Sequence, residues 1–249
     1  MTNSRAATSA SKANAKRGQI VSEAAALFDS RGYHATTMEE IASSVGIAKP
    51  TLYHYYRSKD EILYAIHEEF IDLLLAEHQQ RATDPSLGPD ELLQGIAGDI
   101  LDLMETHHGH VRTFFEHHRE LPVRERSTIR RKRDDYARIV ESLLQQGVDQ
   151  GIFDTDPKMC ALHFFGMCNW AYQWYRSGNE LPPRSIAEEF WRMLRDGIRT
   201  RGNPGSAADA VTNGPVSAGS PDSQTIIRTR RQRTGRAPKD SVPASSPAD

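Results

Sequence analysis

The chain has 249 residues, with 31 lysines and arginines against 33 acidic residues and a formal net charge of −2. That length allows one or two domains with a sizeable core, and the balanced charge excludes a polybasic coat for nucleic acid. No apolar run approaches the ~20 residues that span a bilayer and no apolar signal core opens the chain, so neither membrane insertion nor secretion is expected.

Residues 1–15 are small and polar, and the first eighteen carry four cations and no acid, which suggests a disordered basic arm. Helical periodicity follows. Ile20, Ala24, Leu27 and Phe28 form an apolar stripe that stops at Gly32. The stretch TTMEEIASSVG supplies Thr36 or Thr37 as a helix N-cap, acids for the first turn, and Gly46 as a stop. Pro50 suits the first turn of another short helix. Ile62, Ile66, Phe70, Leu73 and Leu74 mark a longer amphipathic helix, closed by the loop TDPSLGPD.

Downstream, residues 92–104, 107–119, 124–147, 157–176 and 183–199 each read as helices. Asp156-Pro157 and Pro182-Pro183 give start signals for the last two. Cys160 and Cys168 would share a helix about 12 Å apart at ~1.5 Å per residue, too far for a disulfide. Reduced thiols fit a cytoplasmic location. From residue 202 onward Pro, Ser, Ala and Gly dominate, and such a segment cannot recover its ordering entropy. A disordered tail is expected over 202–249, with a basic cluster at Arg228–Arg236. The fold class is all-α, with about nine helices. A three-helix helix-turn-helix domain occupies 16–62, and a ligand-binding and dimerisation domain occupies 63–201.

Two short helices joined by a tight glycine-containing turn and packed on a preceding helix form a helix-turn-helix unit. Ile41, Ala42, Val45, Ile47, Leu52 and Tyr56 would be its internal contacts. The second helix then presents Lys49, Pro50, Thr51, Tyr53 and His54 outward, where a major groove would receive them. Pro50 and Thr51 suit a thymine methyl, while Tyr53, Tyr55 and Lys59 suit phosphates.

The stretch TTMEEIASSVGIAKPTLYHYYRSKDEIL resembles the DNA-binding segment of the tetracycline-repressor (TetR) family of bacterial regulators. The matching positions are Thr37, Ile41-Ala42, Val45-Gly46-Ile47, Thr51-Leu52-Tyr53, Tyr55-Tyr56, Lys59 and Ile62. Ala48 departs from the usual Ser or Thr cap, and Tyr56 from the usual Phe. The resemblance implies a homodimer of nine-helix subunits on a palindromic double-stranded DNA operator. It further implies a ligand pocket within residues 64–200 whose occupation weakens DNA binding, and it adds Thr37 to the DNA-facing residues.

Ile186, Phe190, Met193, Leu194, Gly197 and Ile198 form one stripe at helical spacing, which makes Phe190, Met193, Leu194 and Gly197 the candidate dimer contacts. The stretch NWAYQWYRSGNELPPRSIAEEF is similar to a segment of TetR-type regulators that respond to fatty acyl-CoA or steroid-derived CoA thioesters. Asn169, Trp170, Trp174, Tyr175 and Arg176 match, whereas Ser177 and Gly178 depart. That similarity implies a small apolar effector such as an acyl-CoA, and Phe114, Phe115, His118, Tyr136, Trp170 and Trp174 are the expected pocket residues. Seven cations in Arg124–Arg138 offer partners for CoA phosphates, or else form ion pairs along a solvated helix face.

The histidines of THHGHVRTFFEHHRE contain no His-x-x-x-His pair and no neighbouring cysteine, so no metal is expected. No phosphate loop, nucleophile elbow or isolated Ser-His-Asp set is present, so neither catalysis nor a cofactor is expected. Two other readings remain: a multidrug-efflux regulator sensing cationic or aromatic compounds, with Glu116 and Asp99 as its acids, and a His-rich metal-sensing module.

Overall fold

The computed structural model describes residues 2–178 and 180–200, with side chains from Ser11 onward. Among these residues the helices are α1 Thr2–Arg31, α2 Met38–Val45, α3 Lys49–Tyr55, α4 Lys59–Arg81, α5 Pro89–Thr106, α6 His108–Glu116, α7 Val123–Asp149, α8 Pro157–Trp170 and α9 Pro183–Ile198. A 3-10 turn, Ala171–Gln173, follows α8. The tail expected from 202, with its cluster at Arg228–Arg236, lies outside the described residues.

Local chemistry sets most of these boundaries. Thr37 caps α2: its hydroxyl accepts from the Glu40 amide at 3.2 Å, and the Glu40 carboxylate accepts from the Thr37 amide at 2.8 Å. Such a reciprocal cap stabilises by about 1 kcal/mol. The turn into α3 needs Gly46 in the left-handed region, at φ 70°, where a Cβ would be strained. Ser58 caps α4 and Asp156 caps α8, each accepting from the amide three residues on. Pro89, Pro157 and Pro183 open α5, α8 and α9, where a missing N–H costs nothing.

Two boundaries differ from the sequence reading. Where a disordered arm is expected over 1–15, α1 begins at Thr2. Ala6, Ala7, Ala10, Ala13 and Ala15, with no Gly or Pro before Gly18, let the helix run on. The α8 helix stops at Trp170 instead of reaching Arg176.

One core runs through the described residues, all of which fall in a single compact unit, Met1–Gly202. The expected domain border at 62/63 therefore lies inside a continuous α4. That helix packs on α1, α5, α6 and α7, while α5 lies along α9 and α7 along α8. Trp191 of α9 is buried and donates its indole N–H to Asp90 at the start of α5, at 2.7 Å. A large buried ring with its one polar atom satisfied is a strong anchor between helices.

Candidate functional site

Helices α2 and α3 bury Ile41, Ala42, Val45 and Leu52 against the α1 residues Ile20, Val21, Ala24 and Phe28. The opposite side of α3 faces solvent, with Lys49, Pro50, Thr51, Tyr53 and His54 exposed together and Tyr55 half-buried beside them. The Lys49 ammonium reaches Glu39 on α2 and lies 5.9 Å from the centre of the Tyr53 ring. An exposed pair of this kind is weak enough to yield to a phosphate. Thr37 is exposed too, but its hydroxyl is taken up by the cap of α2.

Lys59 is placed differently from expectation. Its ammonium donates to the Tyr33 carbonyl at 2.7 Å and the Thr36 carbonyl at 2.8 Å, and sits 4.3 Å from the centre of the Tyr33 ring. It clips the α1–α2 connection to the start of α4, and little of its charge is left for a phosphate. Sequence reading missed Arg17. Its guanidinium donates to the Tyr55 carbonyl at 3.0 Å and covers the Tyr55 and Tyr56 rings, tying α1 to the end of α3.

A cavity of about 230 Å³ opens between α4, α5, α6, α7 and α8. Phe70, Ile71 and Leu74 from α4, Ile100 from α5, and Phe114 and Phe115 from α6 form its apolar wall. Tyr136, Phe165 and Asn169 complete it, with Arg133 and Asp134 exposed at its edge. Phe70 and Phe114 pack with ring centres 4.4 Å apart, and the Arg133 guanidinium lies 5.6 Å from the Phe114 centre. The Tyr136 hydroxyl is buried without a hydrogen-bond partner among the described residues. Burial and the nearby Asp99 carboxylate push its pKa far upward, so it stays a neutral donor. A larger groove of about 480 Å³ between the starts of α4 and α7 is lined by Asp60, Glu61, Arg124 and Glu125. It is too charged for an apolar ligand.

The structure brings Phe114, Phe115 and Tyr136 together as expected, and places three other pocket candidates elsewhere. His118 follows the end of α6, with its Nδ1 3.3 Å from the Phe115 carbonyl, and does not line the cavity. Trp170 and Trp174 are 64% and 44% exposed. Because α8 ends at Trp170 and tightens into a 3-10 turn, both indoles swing to the outer side, opposite buried Phe164 and Cys168. There they join exposed Met159, Leu162, Leu181 and Met193. Phe190 and Leu194 are half-buried against the core and Gly197 is exposed. The two cysteines are buried, and burial pushes their thiols up to about 11 and about 12, so they are inert at neutral pH.

Asp99 is no free receptor for a cation. Arg81 grips both its oxygens at 2.6 and 2.8 Å, and Arg184 lies 3.6 Å away. Glu116 pairs with Arg112 on the surface. Among the described residues no three His, Cys, Asp or Glu side chains converge as metal ligands, and no helix is long and apolar enough to cross a membrane. Of the Arg124–Arg138 cations, Lys132 is held by Glu68 and Asp72, and Arg138 by Asp135.

Residues 20–66 match the family of bacterial regulatory proteins named tetR, and residues 86–198 match the tetracyclin repressor-like C-terminal domain. The chain belongs to the TetR family. As a TetR-type regulator it binds operator DNA, dimerises, and is not an enzyme. The HTH-type transcriptional repressor KstR2 of Mycobacterium tuberculosis (strain ATCC 25618 / H37Rv) is 29% identical over 196 residues, covering 78% of this chain and 98% of that protein. The solved structure of that ketosteroid regulator superposes with a TM-score of 0.67 at 28% identity, over 74% of this chain and 95% of the other. The structure of AibR with isovaleryl coenzyme A and operator DNA gives 0.64 at 29% identity, over 72% and 97%. The HTH-type transcriptional activator FasR of Mycolicibacterium smegmatis is 40% identical over 65 residues, 26% of this chain and 30% of that one.

Proposed function

We propose that this TetR-family protein is a cytoplasmic repressor that leaves a pseudo-palindromic operator when a compact acyl-CoA thioester enters the cavity beneath α4. The observation that carries the reading is that α4 both walls the cavity, through Phe70, Ile71 and Leu74, and begins at the helix-turn-helix. A ligand that displaces those side chains acts on the helix that positions the DNA-binding head. The effector shifts the equilibrium only by its preference between the DNA-competent and released states. Head separation must match successive major grooves about 34 Å apart, so a small rotation of α4 suffices. The apolar wall suits an acyl group, and Arg133 at the edge suits a CoA phosphate. Support from relatives is that AibR was solved with isovaleryl coenzyme A and operator DNA, and that KstR2 is a repressor.

In the proposed DNA complex, Thr51 and Pro50 meet base edges, while Lys49, Tyr53, His54 and Tyr55 meet the backbone. The outward face of α8 and α9, with Met159, Leu162, Trp170, Trp174 and Met193, is the proposed dimer surface; several exposed large apolar groups on one face favour burial. The test is a fluorescence-anisotropy titration of the protein on its own promoter DNA, with and without a panel of CoA thioesters and the matching free acids. Release by a short or branched thioester, but not by its acid, is the expected result. Tight binding unmoved by every thioester would discard the effector class.

A further inference from the structure

The Tyr136 hydroxyl stands out among the buried polar groups because its side chain lines the cavity while its oxygen has no partner among the described residues. A buried hydroxyl without a partner carries a desolvation cost that an incoming acceptor removes. The nearest carboxylate does not serve: Asp99 is held bidentately by Arg81, and no hydrogen bond joins it to Tyr136. The other cavity walls are almost wholly apolar, so an oxygen-bearing ligand has few places to direct its acceptor. Asn169 and the charged pair Arg133 and Asp134 are the remaining polar wall residues. The two charged residues are exposed at the edge. Size narrows the ligand further. About 230 Å³ holds roughly eight water-sized groups at ~30 Å³ each, which is short of a long unbranched acyl chain.

We propose that Tyr136 is the specificity-determining hydrogen-bond donor of the effector cavity, and that the buried part of the effector is a compact apolar body carrying one oxygen acceptor. This rests on the assignment of the cavity as the effector site. The acceptor is a thioester carbonyl or a ring ketone, and the shared chemistry is a carbonyl or hydroxyl oxygen set within a short branched or cyclic skeleton. Nearby Asp99 and burial keep the phenol protonated, so it donates and does not accept.

The test compares cyclohexanone with methylenecyclohexane, which has the same shape but no oxygen acceptor, on the full-length dimer and on its Tyr136→Phe variant. Thermal-shift titration should show the ketone binding the wild type about threefold to tenfold more tightly than the variant, the range of one neutral hydrogen bond. The hydrocarbon should bind both alike. Equal binding of the ketone to both proteins overturns the proposal, and so does a wild type that takes up neither probe. Should Tyr136→Phe fail to fold, the carbonyl stretch of cyclohexanone bound to wild type decides. A shift to lower frequency than in hydrocarbon solvent supports the donor, and an unshifted band overturns it. Neither probe contains CoA, so failure of every thioester to release DNA would strike the effector class and leave this comparison standing.

Discussion

Gly109 of α6 lies against the backbone of Ala25 in α1: a Cβ added at Gly109 would sit 2.8 Å from the Ala25 carbonyl carbon and 2.9 Å from its oxygen. Two helix backbones meet there with no side chain between them. One flank of the seam is charged, since Asp29 of α1 meets Arg112 and His108 of α6, each at 3.0 Å. The helix that walls the cavity through Phe114 and Phe115 therefore touches the first helix of the DNA-binding head directly. Gly109→Ala should force α6 away from α1 and lower stability by about 1–3 kcal/mol, the usual cost of overpacking. Thermal unfolding reads the loss, and anisotropy on promoter DNA should show weaker binding without any effector.

Lys59→Met separates two roles for one cation. As a clip on the Tyr33 and Thr36 carbonyls it should contribute about 2 kcal/mol of stability, in the range for hydrogen bonds to charged groups. Chemical denaturation should show that loss, while the slope of log affinity against log salt should stay unchanged. A slope reduced by about 0.9 with stability intact would instead make Lys59 a phosphate contact.

Thr51→Ala should relax base preference at one operator position by about 1–3 kcal/mol, whereas Tyr53→Ala should weaken all DNA sequences alike. Both side chains are exposed on α3, so neither change should alter the unfolding midpoint much. Competition binding with a panel of point-substituted operators distinguishes the two.

Trp170→Glu places a charge on the outer face of α8. If that face joins two subunits, sedimentation should show a monomer, and affinity for a two-half-site operator should fall steeply. The effector cavity is lined by other residues, so cyclohexanone should still bind.

Stability should fall on acidification well before the carboxylates titrate. Burial depresses His67 and His110 to about 4, below the ordinary histidine value. Both are then neutral in the folded protein and protonate more readily once unfolded. Their contribution is complete above about pH 6.5 and is lost as pH falls toward about 4, by up to about 1.4 kcal/mol per pH unit for each histidine. Glu69, 3.9 Å from His110, is pushed upward by burial and acts in the opposite direction. The check is therefore a difference: His67→Leu should flatten the slope of unfolding free energy between pH 4 and 6.5 relative to wild type.

The helix-turn-helix was legible in the sequence because its signals are local. The Thr37 cap, the Gly46 turn, Pro50 and the apolar spacing of Ile41, Ala42, Val45 and Leu52 act within a few residues of one another, and backbone sterics give them nearly one solution. The starts of α5, α8 and α9 were readable at Pro89, Pro157 and Pro183 for the same reason. The apolar stripes of the second half showed helices but not their partners, since a Trp or Phe at helical spacing can equally face a core, a ligand or another subunit. Only packing decided that Phe114 and Phe115 wall a cavity while Trp170 and Trp174 turn outward. Lys59 shows the same limit: its carbonyl partners lie 26 and 23 residues earlier in the chain, and its charge looks free until α1, α2 and α4 are assembled. Short-range covalent and capping geometry determined the elements, and long-range packing of those elements decided which side chains remain available for DNA, effector and partner.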